Sequence, residues 1–277
     1  MMVWIGADGC LVNAAADTRL SFPRDDSYAT LIDEAPKIFE MELTCSRLGG
    51  LDNGVYRSAT FGLGYAGDTY IANSVVLAIT PLLKRLVSTN HGDDAVPSLL
   101  QVSEWIRLFL KKYICSINAT GNQSNPRMAE LSVFGHCGIS NSMVAFHLNP
   151  TINGQCLDVE ISQLDTTDPN AILLLGKHKG EIKRRVTNDR AGLCSVTTEW
   201  DRVPREVLRK IIRNRCFDDI GGAIQLAFAT PKKFSLCVPV LPDADPDASE
   251  SWKYLGMYPF PELATVGPCS VSFGGAI

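Results

Sequence analysis

The residue types able to hold a metal or to pair a thiol with a base come together at His136-Cys137 and His147. Segments 128–136 and 142–148 read as consecutive strands, and a hairpin between them would let the two imidazoles approach. A metal centre also needs carboxylate ligands or an organised outer shell, and neither is identifiable. The favoured reading is structural, with no metal and no cofactor. His91-Gly92-Asp93-Asp94 has ligand chemistry as well, but its place between two helical segments suits a charged, solvated turn. Gly62-x-Gly64 and Gly67 are spaced too loosely for a phosphate cradle, and no strand–helix–strand unit follows. Nine cysteines, scattered without a C-x-x-C pair, argue against a zinc ribbon or a redox dithiol. Most sit in apolar stretches, such as Tyr113-Ile114-Cys115 and Leu236-Cys237-Val238, where a buried reduced thiol is expected.

The charge pattern is more informative. Residues 177–215 carry twelve Lys/Arg and five Asp/Glu, a local +7, so the rest of the 277-residue chain must carry −11 to give the overall −4. On two helices this is first a solvated face, and otherwise a contact face for an acidic neighbouring subunit or for a nucleic acid; a second copy is the next choice because opposite-charge faces suit head-to-tail rings. The net charge gives no pull toward nucleic acid or anionic membrane, and no interleaved aromatics support single-strand stacking. Apolar residues at 45% and charged residues at 20% exclude disorder and low complexity. The opening Met1-Met2-Val3-Trp4 has no basic leader, and the longest apolar stretch, 75–83, is too short for a bilayer. A cytoplasmic protein is expected.

The elements that must position these groups come in blocks. Short strands are expected at 3–6, 10–16 and 19–22, then an acidic loop over 24–35, then strands at 37–41 and 55–65. Apolar spacing predicts helices over 71–86, kinked or split by Pro81, and over 99–117. Strands follow at 128–136, 142–148, 155–161 and 171–175, then helices at 177–188 and 203–217, and strands at 222–230 and 234–240. Segregated blocks point to an α+β fold, and helix pairs covering sheet faces make a four-layer αββα sandwich an economical packing. One domain over 1–240 and a proline-rich arm over 241–277 are expected. The arm's Trp252, Tyr254, Tyr258 and Phe260 would dock on this subunit or on a neighbour.

Four stretches in this order resemble the proteasome β-subunit type of N-terminal nucleophile (Ntn) hydrolase. They are Asp8-Gly9 through Ala16-Asp17-Thr18-Arg19, Ala35-Pro36-Lys37-Ile38, Phe61-Gly62-Leu63-Gly64-Tyr65-Ala66-Gly67-Asp68, and Ile220-Gly221-Gly222. The resemblance spans about 1–240 and implies the αββα Ntn fold. It also implies a nucleophile on the first residue of the mature chain, with that residue's own α-amine as base. A lysine beside it lowers the nucleophile's pKa and keeps the amine neutral, and aspartates hold the lysine. By position Asp17 and Lys37 match that carboxylate and lysine. The second aspartate falls at Asp218 or Asp219, with Asp218 taken as the match.

The departure lies at the start. Met1-Met2-Val3 offers no Thr, Ser or Cys, removal of Met1 before a bulky Met2 is inefficient, and the first hydroxyl or thiol is Cys10. Cleavage before Cys10 would delete the first strand. The expectation is a catalytically silent subunit that assembles with copies of itself, as a ring or half-ring, with Asp17 and Lys37 open to either a vestigial or a purely structural reading. An active peptidase or amidase with a processed terminus is the alternative.

Overall fold

Runs rich in β-branched and aromatic residues, punctuated by glycine and proline, become two sheets, and the periodic apolar stretches become helices. The computed structural model describes residues 2–7, 11–24, 27–47, 54–88, 94–119, 126–153, 156–168, 170–194, 197–237, 265–266 and 269–270. One sheet has five antiparallel strands in the order β11 (Ile172–Gly176), β1 (Met2–Ala7), β2 (Val12–Asp17), β12 (Ile224–Ala229) and β13 (Phe234–Cys237). The other has six: β10 (Cys156–Gln163), β9 (Ser142–Asn153), β8 (Ala129–Cys137), β6 (Val55–Gly67), β5 (Ile38–Ser46) and β7 (Leu86–Val87). The helices are α1 (Thr69–Leu83), α2 (Leu99–Ala119), α3 (Lys179–Arg190) and α4 (Thr198–Arg213). No helix among the described residues is long and apolar enough to cross a membrane.

Strand alternation divides the apolar side chains among three clusters. Val3, Ile5, Ala14 and Ala227 of the first sheet meet Ile38, Phe134 and Ala145 of the second. Met41, Leu63 and Leu131, on the six-stranded sheet, pack under Ile71, Val75, Ile106 and Leu110 of α1 and α2. Trp4, Ala15 and Leu226, on the five-stranded sheet, pack under Ile182, Val207 and Ile211 of α3 and α4. The glycines of β6 belong to the first cluster. A Cβ on Gly62 would stand 2.4 Å from Phe134 and 2.5 Å from Phe234, so Gly62-x-Gly64 serves close packing between sheets.

Several expectations need correction. The acidic loop over 24–35 contains β4 (Ser27–Ile32), which forms a hairpin with β3 (Leu20–Arg24). Pro81 does not split α1, which runs through it from Thr69 to Leu83 and ends two residues later, short of the expected 86. Helix α4 begins at Thr198, where Thr197 caps it by accepting from the Trp200 N–H, well before the expected 203. Pro204 then lies inside the helix with no N–H for the Trp200 carbonyl. Arg190 Nε donates to that carbonyl at 3.4 Å, with its guanidinium over the Trp200 ring. Cys115 is exposed, as are Cys156 and Cys194, whereas Cys45, Cys137 and Cys237 are buried. Of the arm, only β14 (Thr265–Val266) and β15 (Cys269–Ser270), paired with each other, lie within the described residues.

Candidate active site

Asp17 ends β2, and Lys37 immediately precedes β5, so the pair spans the two sheets at one end. Lys37 Nζ lies 2.7 Å from Asp17 Oδ1, and both side chains are wholly buried. Burial pushes the Lys37 pKa down, against the pull of Asp17 and the weaker pull of Asp219. Despite the charge contact, the ammonium has no well-aligned hydrogen-bond acceptor among the described residues. Burial and the Asp17 charge thus act on the lysine in opposite directions, and burial is the larger effect.

The backbone around the pair is locked from both sides. Gln225 of β12 accepts from the N–H groups of Lys37 (2.8 Å) and Ile38 (2.9 Å) and donates to the Ile38 carbonyl at 2.7 Å. One buried amide side chain on the smaller sheet thereby fixes the start of β5 on the larger one. Asp17 Oδ2 accepts from the Gly221 N–H at 3.2 Å. The Thr18 N–H reaches the Gly221 and Ala223 carbonyls, and Thr18 Oγ1 accepts from the Ala223 N–H at 2.7 Å while donating to the Asp33 carbonyl. Arg19 forms a two-pronged pair with Asp33, which raises its pKa.

Gly221 and Gly222 are required by this closeness. A Cβ on Gly221 would stand 2.3 Å from the Arg19 guanidinium carbon, and one on Gly222 2.3 Å from the Asp33 carbonyl oxygen. Gly222 also has φ +74°, which side chains resist. Gly222→Ala is expected to cost about 3 kcal/mol or more, as backbone strain and a clash combine. Gly180→Ala, on α3 with open space around it, should cost nothing; urea midpoints compare the two.

Of the two adjacent aspartates, Asp219 is the one that faces inward. It is buried, its Oδ1 lies 2.9 Å from His178 Nε2, and its charge acts on Lys37. Asp218, the residue matched from sequence, is exposed, with its carbonyl near Arg19 Nη1. The tight turn after α4 decides which carboxylate faces inward. His178, which precedes α3 and stacks on Phe217 with centroids 3.9 Å apart, went unnoticed between Lys177 and Lys179. Gln225 was missed too, although a single amide inside the apolar run Ile224–Ala229 is a signal for such a clamp.

The remaining candidates stand elsewhere. The β8–β9 register sets His136 opposite Met143 and His147 opposite Ser132, so the imidazoles do not meet. His147 Nε2 lies 2.8 Å from Glu130, which also takes Lys179 Nζ at 2.6 Å. Burial opposes ionisation of Glu130, but these two partners together hold its carboxyl below the usual range. The basic run over 177–215 is partly neutralised within the chain: Arg184 and Arg185 pair with Glu181, Arg209 with Glu206 and Lys210 with Asp189. His91 and Asp93 lie outside the described residues.

Two sheets with helices packed on each, and a buried Asp–Lys pair beside a Gly-Gly turn, make this a proteasome-like α+β fold. No family model matches the chain, nor does any curated protein. Solved structures do. The Anbu complex from Pseudomonas aeruginosa, solved as a helical assembly, superposes with a TM-score of 0.53 at 16% identity, covering 83% of this chain and 80% of that one. Anbu (ancestral beta-subunit) from Yersinia bercovieri gives 0.52 at 14%, over 85% and 81%. The Anbu (Gly-1) mutant from Hyphomicrobium sp. strain MC1 gives 0.53 at 15%, over 85% and 83%.

Proposed function

We propose that this chain is a self-assembling subunit of proteasome-like Ntn fold that keeps the supporting machinery of the site but lacks the nucleophile. The observation that carries this is a register. Residue 2 opens β1 and pairs with Gly176, and the next residue, Val3, pairs with Ala16, the neighbour of Asp17 on β2. The residue in that place is Met2, which has neither hydroxyl nor thiol. Asp17, Lys37 and Asp219 then hold a charged, pre-organised turn without a group to activate.

The three apolar clusters, one between the sheets and one under each helix pair, support reading the architecture as a four-layer αββα sandwich. Assembly with copies of itself, as a ring or half-ring, is supported by the helical assembly of the Pseudomonas Anbu complex. Arg202 and Arg213 on the exposed side of α4 suit an acidic surface of a neighbour. Exposed free thiols at Cys115, Cys156 and Cys194 fit a reducing compartment such as the cytoplasm.

Native mass spectrometry of the untagged protein, with and without a β-lactone electrophile, tests both parts. An oligomer that retains its mass in the presence of the lactone is expected. A monomer at micromolar concentration would overturn the assembly. An adduct lost on Lys37→Met would replace the silent subunit with an active amidase or peptidase, a reading favoured by the lowered pKa of Lys37.

A further inference from the structure

Between the first turns of α4 and the outer face of the five-stranded sheet lies a cavity of about 200 Å3. Its inner walls are apolar, formed by Trp4 of β1, Ala14 of β2, Leu226 and Phe228 of β12. Its mouth is polar and lies on α4, where Arg202 and Asp201 are exposed and Arg205 reaches inward.

Two of the lining residues carry a buried donor with no hydrogen-bond partner among the described residues. One is the indole N–H of Trp4, a residue only 4% exposed, and the other is Nε of Arg205. Glu206 approaches Arg205 Nε only to 3.8 Å, beyond hydrogen-bond reach. Leaving buried donors without acceptors costs free energy, the more so for a charged one, and folded proteins rarely tolerate it without a reason. Burial and the neighbouring cations Arg209 and Arg202 lower the Arg205 pKa, against the pull of Glu206. The lining has two guanidinium groups against one carboxylate, a net +1. The N-terminal end of α4 adds the positive end of a helix dipole.

A ligand that meets these demands has a flat apolar body and one anionic acceptor. An apolar cavity of about 150 Å3 accepts benzene, so the space here suits a single ring bearing a carboxylate. We propose that this cavity is a binding site for a small aromatic carboxylate, its ring against Trp4, Leu226 and Phe228 and its oxygens accepting from Trp4 Nε1 and Arg205 Nε. The site uses none of Asp17, Lys37 and Asp219, so it stands or falls independently of the function proposed above.

Equilibrium dialysis of the full chain against radiolabelled benzoate is the test, with benzamide as the neutral competitor. Saturable binding of one benzoate per chain is expected, displaced at least tenfold less effectively by benzamide than by unlabelled benzoate. Arg205→Gln should weaken it at least tenfold, while Lys112→Gln, exposed on α2 and outside the lining, should leave it unchanged. Trp4→Phe keeps the aromatic wall and removes the donor, and should weaken binding severalfold at an unaltered melting temperature. Absence of saturable binding, equal competition by benzamide, or equal losses in Arg205→Gln and Lys112→Gln would overturn the proposal.

Discussion

Asp17→Ala is expected to destabilise the protein by about 3–5 kcal/mol, because it leaves a fully buried ammonium without its counter-charge. Lys37 and Asp17 are both 0% exposed and 2.7 Å apart, so neither water nor a side-chain rearrangement is at hand to compensate. Removing Asp17 takes away a charge that raises the Lys37 pKa, so the ammonium loses its proton more readily and the loss of stability shrinks as the pH rises. Lys37→Met should cost less than Asp17→Ala: Asp17 keeps the Gly221 N–H at 3.2 Å as a partner, whereas the ammonium has no aligned acceptor. Combining Lys37→Met with Asp17→Asn removes both charges and should recover most of the loss, since apolar and neutral replacements of buried pairs are often close to neutral. Urea denaturation of the four proteins, with m-values compared, checks this. A double variant no better than Asp17→Ala would show that the site is held by its backbone lattice, and that the charge pair contributes little to the fold.

That lattice is the part that was hardest to read. Asp17 and Lys37 were legible because each lies in a short run with a recognisable order, and the periodic apolar stretches of α1 and α2 were legible because helical burial leaves a regular imprint. Strand β4 left none: Leu31 and Ile32 are exposed, so its residues run without a buried face, and the flanking acidic residues read as loop. Choosing Asp219 over Asp218 needed the turn after α4, since one residue of phase moves a carboxylate from the site to solvent. Gln225 acts through three hydrogen bonds to a strand almost two hundred positions earlier in the chain, a long-range pairing invisible to local pattern. Arg190, which rescues the helix at Pro204, illustrates the same point: a rule about proline failed locally because a distant side chain supplied the missing donor.

Met2→Thr, expressed directly after the initiator methionine, is expected to turn an unreactive protein into one that takes up a β-lactone nearly to completion. A threonine in second place permits removal of Met1, so the new chain begins with a free α-amine beside a hydroxyl, which is the nucleophile and base that the site lacks. Val3 pairs with Ala16, so that residue would open β1 beside the end of β2, where Asp17 holds the buried Lys37. The hydroxyl oxygen attacks the lactone carbonyl, the ring C–O bond breaks, the amine carries the hydroxyl proton to the departing alkoxide, and the adduct has the summed mass of protein and reagent. Adding Lys37→Met to Met2→Thr should slow labelling by roughly a hundredfold or more, the scale of a lost proton-handling or electrostatic partner. Met2→Val is matched in shape to threonine without the hydroxyl and should stay unlabelled. If Met2→Thr is processed, folded and still inert, then Asp17 and Lys37 no longer stand in catalytic geometry, and their pairing serves the junction between the two sheets alone.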